Sequence, residues 1–191
     1  MEPVPIPSQT VGPFFHLGCT AATRSVSDVA GPNAKGERVR LICRVLDGDG
    51  QPVNDAMIEI WQANADGKYH HPDDLQEKAL DPDCRGFGRL ATDENGTCIF
   101  ETIKPGRVPG NMGKLQAPHL NVSVFGRGIL RRLPTRIYFA AEASNSEDPI
   151  LALVPEERRN TLMAHPDLHS RGHWHFDVHL SGEDETVFFD V

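Results

Sequence analysis

An all-β fold, most simply a single-domain β-sandwich, is the fold class that the sequence predicts. Apolar and polar residues alternate over several short segments, which is the pattern of strands that bury one face. Turns rich in Gly, Asp and Asn separate these segments, and only one segment carries the signals of a helix. The 191 residues are enough for one large β domain with a sizeable core.

Residues 1–36 are predicted to form an extended N-terminal arm rather than an element of the core. They lack sustained periodicity and are rich in proline, which disfavours regular structure. The prolines are Pro3, Pro5, Pro7, Pro13 and Pro32. A tight turn at residues 10–13 leads to two aromatic residues, Phe14 and Phe15. These two side chains must be buried, either on the chain's own sandwich or on a neighbouring chain.

Residues 37–191 are predicted to form the sandwich domain, in roughly six to nine strands. The strand segments are RVRLICRV, AMIEIW, RLATD, TCIFETI, HLNVSVF, TRIYFAA, HWHFDVHL and ETVFFDV. A hairpin is expected between RLATD and TCIFETI, because Glu94-Asn95-Gly96 is a strong turn signal. The one short helix is predicted over residues 155–164, where Pro155 suits the first helical position and acidic residues occupy the first turn.

Composition and charge argue against several classes of partner. The net charge of −8 is spread along the chain, which disfavours nucleic acid and anionic membrane as partners. No apolar run approaches the roughly 20 residues that a membrane span needs, and the N-terminus lacks a signal pattern. We therefore expect a cytoplasmic location. The four cysteines show no C-x-x-C spacing, so a zinc site and disulfides are not expected, and Cys43 and Cys98 are predicted to be small buried residues.

The segment from residue 104 to residue 127 is the strongest candidate for carrying chemistry. A glycine-rich loop leads to His119 at the start of a strand, which is a common way to place a metal ligand or a substrate contact. Asn121 shares the face of His119, because strand side chains repeat with a period of two. A His-x-His pair could hold a metal from one face, whereas His-x-Asn does so less well. The residues therefore indicate a metal site that this chain does not complete.

Two other parts of the sequence contain residues that could form a site. Five histidines near the C-terminus could bind a transition metal, but their alternation is more typical of a polar, solvent-facing strand. They are His165, His169, His173, His175 and His179. Ser123 has no G-x-S-x-G turn around it, so nothing favours nucleophilic catalysis.

The order of motifs along the chain resembles the intradiol ring-cleaving dioxygenases. The matching pieces, from Ser8 to Asp190, are SQTVGPFF, VLDGDGQPVNDAMIEIWQANADGKYHH, GFGRLATDENG, FETIKPGRVPG, APHLNVSVFGRG, TRIYF and GEDETVFFD. This resemblance implies a non-haem ferric enzyme whose iron is held by two tyrosines and two histidines. In that family a catecholate substrate binds the iron, and dioxygen cleaves the ring between the two hydroxyl-bearing carbons.

By the resemblance, the four iron-ligand positions of the family are Tyr69, Val108, His119 and Asn121 in this chain. Valine cannot donate to a metal, and an asparagine amide is a poor replacement for imidazole at ferric iron. The other tyrosine, Tyr138, is far from these positions in the motif order. The resemblance therefore implies that this chain alone has no catalytic residue and no metal site. Tyr69 and His119 are then expected to hydrogen-bond within a collapsed site.

Family members that cleave protocatechuate are built from two homologous chains, and only the β chain carries the iron. The lost ligands imply that this chain corresponds to the α chain, with a catalytic β subunit as partner in a higher αβ oligomer. Fe(III) would be held by β, and protocatechuate and O2 would be converted to 3-carboxy-cis,cis-muconate in the β-ketoadipate pathway. The N-terminal arm is expected to contact the partner subunit.

The resemblance also implies which residues reach the substrate cavity. The N-terminal turn would line its wall with Thr10, Gly12, Pro13 and Phe14. Arg127 would bind the carboxylate of protocatechuate, because a guanidinium pairs well with a carboxylate. Three further arginines are expected to be surface or interface charges: Arg131, Arg132 and Arg136.

Two alternative hypotheses remain compatible with the residues. An intradiol-like or transthyretin-like sandwich without catalysis could act as a binding or structural module, with no catalytic partner. A homomeric metalloenzyme could instead use His70, His71 and His119 with ligands that the family lacks. In either case Trp61, Phe100 and Phe176 are predicted to lie in the core. The apolar tail at residues 187–189 is predicted to pack on a partner or on the edge of the sandwich.

Overall fold

Ten strands and several short 3₁₀ and π turns make up the computed structural model, which describes residues 6–21, 25–110 and 113–190. The strands are β1 (Arg38–Leu46), β2 (Met57–Trp61), β3 (Phe87–Ala91), β4 (Thr97–Ile103), β5 (Val108–Pro109), β6 (Leu115–Gln116), β7 (His119–Phe125), β8 (Leu133–Phe139), β9 (Met163–Pro166) and β10 (His173–His179). The predicted all-β fold is confirmed. Pro3, Pro5 and Val191 lie outside the described residues. No helix in the described ranges is long and apolar enough to cross a membrane.

Eight strands form one continuous sheet, in the order β3-β2-β7-β8-β9-β10-β1-β4, which folds into two layers. The short β9 joins the layers, since it pairs in parallel with β8 and antiparallel with β10. The alternate residues that face inward from both layers form one core, because strand side chains repeat with a period of two. Phe100 and Phe176 lie in this core as predicted, and so do Cys43 and Cys98.

The predicted hairpin is confirmed in its turn but wrong in its strand pairing. The turn forms, with the Asp93 N–H donating to the Thr97 carbonyl at 2.8 Å. The two strands do not pair, however: β3 pairs with β2 and β4 pairs with β1, at opposite ends of the sheet order. The turn therefore carries the chain from one layer to the other. Local turn chemistry favours a reversal but does not decide which edge the next strand joins.

A second prediction is wrong for part of the N-terminal arm, because that part belongs to the core. Val26 bridges to Arg89 on β3, and Asp28 bridges to Glu101 on β4. Directly after these contacts, Val29 is fully buried in the main core. The arm thus crosses the open side of the sandwich and hydrogen-bonds to the strands at both ends of the sheet, which protects their edges. The prediction of an arm without a core element is wrong for this stretch.

The C-terminal third differs from the prediction in two elements. The segment 155–164 is helical only as a 3₁₀ helix over Glu156–Leu162, because the chain must already enter β9 at the next residue. Residues 185–190 form no regular strand. They run beside β8 instead, with the Phe189 N–H donating to the Pro134 carbonyl at 2.8 Å. Phe188 packs on the main core, and Val187 and Phe189 pack on a second, smaller cluster, so this tail lies on the sandwich edge.

Gly88 on β3 provides a test of the arm's packing. A Cβ at this position would lie 2.7 Å from Val29 Cγ2 and 2.8 Å from Phe100 Cδ1. Gly88→Ala should therefore lower the free energy of unfolding by about 1–3 kcal/mol, since overpacking forces neighbours to shift. Urea denaturation measures this loss. Gly18→Ala, where a Cβ would meet nothing within 4 Å, is the matched control. Equal stability of the two variants would contradict the arm's place in the core.

Candidate functional site

The outer face of β2, β7 and β8 brings together the four predicted ligand positions, which we call the vestigial site (Tyr69, Val108, His119 and Asn121). Asn121 on β7 lies directly across from Trp61 on β2. The Tyr69 ring stacks on Trp61 at 6.0 Å, and the Asn121 amide donates to the Tyr69 hydroxyl at 3.3 Å. Val108 lines the same groove as Tyr69. The prediction of a core Trp61 is wrong, because this side chain is half-buried on the outer face.

A tightly bonded loop after β2 positions Tyr69. The Tyr69 N–H donates to the Asp74 carboxylate at 2.8 Å, and the Lys68 ammonium is buried against the Asp74 and Gln76 carbonyls. Gly67 allows the loop to pass close to the chain ahead of β5, since a Cβ there would lie 2.0 Å from the Arg107 carbonyl oxygen. Only glycine at position 67 permits this close approach. The loop that holds Tyr69 therefore depends on Gly67.

His119 is a buried, neutral imidazole. Its side chain is 3% exposed, and Nδ1 lies 2.7 Å from the Ala117 carbonyl, to which an Nδ1–H donates. Burial and, secondly, the positive charge of Arg136 lower the pKa of His119 to about 4. The vestigial site thus holds one histidine in a fixed, uncharged form.

The low pKa of His119 predicts a pH dependence of stability. As the pH falls from 7 to 5, the unfolded chain takes up a proton near the ordinary value of 6.5, whereas folded His119 does not until about 4. Protonation of the unfolded state therefore destabilises the fold in this window, by about 2 kcal/mol at pH 5. The measurement is urea denaturation at both pH values for the wild type and for His119→Gln. The prediction fails if the two proteins lose the same stability on acidification.

Arg136 was predicted to be a surface or interface charge, and it does lie half-buried on the outer face, but the sequence did not connect it with the ligand positions. It lies on β8 directly across from Asn121. Its Nη1 donates to the Gln116 side-chain oxygen at 2.7 Å and to the Tyr138 hydroxyl at 3.3 Å. Burial raises the pKa of Tyr69, and the Arg136 charge partly opposes that rise. The alternation of Arg136 with Tyr138 in TRIYF was the one sequence signal that could have placed it beside the ligand positions.

Tyr138 is also closer to the site than its place in the motif order indicated. It is the cross-strand neighbour of His119, with ring centroids 5.8 Å apart. The ring is fully buried, its hydroxyl donates to the Asp148 carboxylate at 3.2 Å, and burial raises its pKa well above the ordinary value. Sequence order was a poor guide here, because antiparallel pairing brings distant residues side by side.

The side chains of the vestigial site do not fit ferric iron. Val108 offers no donor, the Tyr69 hydroxyl is engaged by Asn121, and Nδ1 of His119 is engaged by Ala117. The guanidinium of Arg136 adds a positive charge where a cation would need anionic ligands. Elsewhere in the described ranges, no group of three or more His, Cys, Asp or Glu could hold a metal ion. In the C-terminal histidine group, His175 pairs with Asp167 at 3.0 Å.

A second cluster brings the predicted substrate-binding residues together, and we call it the arm–loop cluster (residues 10–15 and 125–128). The Gly128 N–H donates to the Thr10 hydroxyl at 2.7 Å, and the Phe15 ring packs on Phe125 at 6.1 Å. Arg127 is 81% exposed and pairs with Asp55 at 3.0 Å. The cluster lies at the far end of β7, about 20 Å from His119 by strand geometry.

The turn within this cluster has the expected form. The Phe15 N–H donates to the Gly12 carbonyl at 3.0 Å, which closes the turn around Pro13 and Phe14. The Phe14 side chain is 79% exposed, whereas Phe15 is covered by the sheet. Of the two arm aromatics, Phe15 is therefore half-buried on the chain's own sandwich, whereas Phe14 is free to contact another molecule.

Comparisons with known proteins show which family this chain resembles. A family model described as Dioxygenase matches residues 10–182. The protocatechuate 3,4-dioxygenase alpha chain of Burkholderia cepacia is 42% identical over 97% of this chain and 96% of its own length. The beta chain of that name from the same organism is 40% identical over 79% of this chain and 67% of its own length.

A solved structure shows the same fold at lower identity. It is the dioxygenase domain of a dioxygenase carbohydrate-binding protein fusion from Streptomyces sp. SirexAA-E, with a TM-score of 0.63 and 22% identity over 94% of this chain and 99% of that one. The family match covers both the vestigial site and the arm–loop cluster. The resemblance read from the motifs is confirmed, and this chain belongs to the intradiol ring-cleavage dioxygenase family.

Proposed function

We propose that this chain is the iron-free α subunit of a protocatechuate 3,4-dioxygenase. A homologous β subunit would hold the Fe(III) that this iron-dependent family requires. The assembled enzyme would cleave protocatechuate with O2 to 3-carboxy-cis,cis-muconate. The printed names of the alpha- and beta-chain relatives support the pairing. The observation that carries the proposal is the loss of two ligand positions in a site that Arg136 now occupies with its own charge.

The arm–loop cluster is the part of this chain that would complete the catalytic cavity. It presents an exposed guanidinium at Arg127 and an exposed aromatic ring at Phe14. In the free chain Arg127 pairs only with the partly exposed Asp55 among the described residues, so a substrate carboxylate could replace that partner. Thr10, Gly12 and Pro13 would form the adjoining wall of the cavity.

The first part of the arm would also contact the β subunit. Phe14 and Leu17 are both largely exposed in this chain, and large apolar side chains close together on a surface are typical of an interaction site. In this division residues 1–36 are the partner-contacting arm and residues 37–191 are the intradiol-like sandwich. The stretch around Val29 additionally ties the arm to the core, which would fix the direction in which residues 10–17 project.

Iron content and visible absorption test the proposal. The full chain should be expressed alone and then together with a β chain encoded beside it. We expect the chain alone to be colourless and free of iron, and the complex to be coloured, to contain iron and to cleave protocatechuate. A control with His119→Ala should leave iron content and colour of the complex unchanged, because β supplies the ligands.

Either of two results would contradict the proposal and favour an alternative function. Stoichiometric iron in the chain alone, lost in His119→Ala, would establish a homomeric metalloenzyme instead. Failure to form any complex with β, with a well-folded chain, would favour a binding or structural module without a catalytic partner. Metal analysis measures the iron content, and size-exclusion chromatography measures complex formation.

A further inference from the structure

A groove on the outer face of β7 and β8 lies beside the vestigial site and shares Asn121 with it. Its volume is about 420 Å³, within the range of small-molecule sites. The lining combines polar, cationic and apolar side chains. Those that matter here are Asn121, Ser123, Arg132, Arg136, Leu153 and Phe189. The proposed catalytic contribution of this chain uses none of them.

The charges of the groove favour an anion. Across the described ranges, some arginines form ion pairs with carboxylates and others, such as Arg131, do not, but Arg132 and Arg136 are the two that line this groove. Neither Arg132 nor Arg136 forms such a pair within those ranges. One carboxylate, Asp190, lines the groove without pairing with either. In a chain of net charge −8, two guanidiniums left without acidic partners concentrate positive potential at one place.

The geometry of Arg136 fits a ligand rather than a structural pair. Its Nη1 is oriented by Gln116 and Tyr138, which are both uncharged acceptors. These contacts fix the plane of the guanidinium without neutralising it. A fixed guanidinium plane suits a carboxylate, because two parallel N–H donors match its two oxygens.

The opposite wall of the groove is apolar. Leu153 is 78% exposed, and it lines the groove with Ile150 and the Phe189 ring of the C-terminal tail. One exposed and two half-buried apolar side chains beside a cationic centre match a ligand with a charged end and an apolar body. An inorganic anion would leave this wall without a contact.

We propose that this groove binds a small carboxylate with an apolar ring or chain, its carboxylate held by Arg136 and Arg132 and its body against Leu153 and Phe189. The groove would then bind an anion beside ligand positions that no longer fit a cation. The inference does not depend on the proposed function, because every residue that it uses belongs to this chain and no iron is involved.

The test uses the full chain expressed alone, with 4-fluorobenzoate as the probe and ¹⁹F NMR as the readout. In the absence of β there is no catalytic iron that the probe could occupy. We expect a saturable change in the ¹⁹F signal, and an affinity at least about tenfold lower for Arg136→Gln, since a charge-assisted bond is lost. The uncharged 4-fluorobenzamide should bind at least about tenfold more weakly than the acid.

Control variants separate the groove from general charge effects. Arg131→Gln removes an exposed arginine outside the groove and should leave the affinity within about twofold. Arg132→Gln removes an exposed groove arginine and should weaken binding even if Arg136→Gln proves too unstable to study. Absence of a saturable signal, equal binding of acid and amide, or equal losses for Arg131→Gln and Arg132→Gln would each overturn the inference.

A protein segment is the competing occupant of the groove. If the chain alone does not bind the probe, but Arg136→Gln weakens assembly with β tenfold, the groove is a subunit contact and the inference fails. Saturable binding by a chain that forms no complex with β would support the inference while contradicting the proposed function. The two conclusions can therefore fail separately.

Discussion

Replacing Arg127 by alanine in the assembled α/β enzyme should raise the KM for protocatechuate by about 10- to 100-fold. A guanidinium–carboxylate contact contributes on the order of 1.5–3 kcal/mol, and its loss weakens binding by the corresponding factor. Catechol lacks the carboxylate, so its KM should change little. Steady-state kinetics with both substrates measure the difference. Equal effects on protocatechuate and catechol would remove Arg127 from the proposed role.

A change in KM on replacing Arg127 would report substrate binding rather than loss of folding, because Arg127 contributes little to the stability of the fold. The side chain is 81% exposed, and its ion pair with Asp55 is of the surface type that adds at most about 1 kcal/mol. Asp55→Asn should therefore leave the KM unchanged or lower it, since it frees the guanidinium for the substrate. Arg131→Ala is a second control, as it removes an exposed charge four residues away along the chain.

Asp148→Ala should destabilise the chain by about 3–5 kcal/mol, the largest effect on stability that we expect from one side chain of the site region. Asp148 is fully buried. Its carboxylate accepts from the N–H groups of Ala117, Ile150 and Leu151 at 2.7–2.8 Å, and from the Tyr138 hydroxyl at 3.2 Å. Alanine would leave three buried donors and one partly buried donor without a partner. Urea denaturation gives the change in the free energy of unfolding.

Matched variants distinguish this network from simple loss of charge. Asp148→Asn keeps one acceptor oxygen and should cost less than alanine, while Asp190→Ala removes an exposed carboxylate and should be nearly neutral. A loss below about 1 kcal/mol in Asp148→Ala would contradict the network's role. Because Asp148 holds the residue two positions before His119, the alanine variant should also disturb the vestigial site.

Much of the candidate site was predictable, for reasons that individual residues show. Val108 and Asn121 are read directly as missing metal donors, because ligand chemistry depends on residue type alone. The alternation in HLNVSVF placed His119 and Asn121 on one face, and the structure agrees. The pairing of the Thr10 hydroxyl with Gly128 was not predictable, since the two residues are more than a hundred positions apart and share no local pattern.

The errors have a common physical cause. The sequence did not place Arg136, Tyr138 and Trp61 beside the ligand positions. A strand pattern gives two faces of a strand but does not identify the neighbouring strand. The β3–β4 turn was recognised, yet its strands enter different layers, because sandwich closure rather than turn chemistry sets their partners. Val29 was assigned to an exposed arm because its burial depends on two strand edges that lie far away in sequence.

The all-β class, the dioxygenase family and the loss of two iron ligands follow from the residues alone, because strand period, motif order and donor chemistry can be read along the chain. That the arm closes the sandwich, that the arm–loop cluster lies far from the vestigial site, and that a guanidinium lies across from Asn121 became visible in the structure alone. These features depend on strand pairing and register between distant segments. Long-range register is set by the packing of the whole core, and no single stretch of residues encodes it.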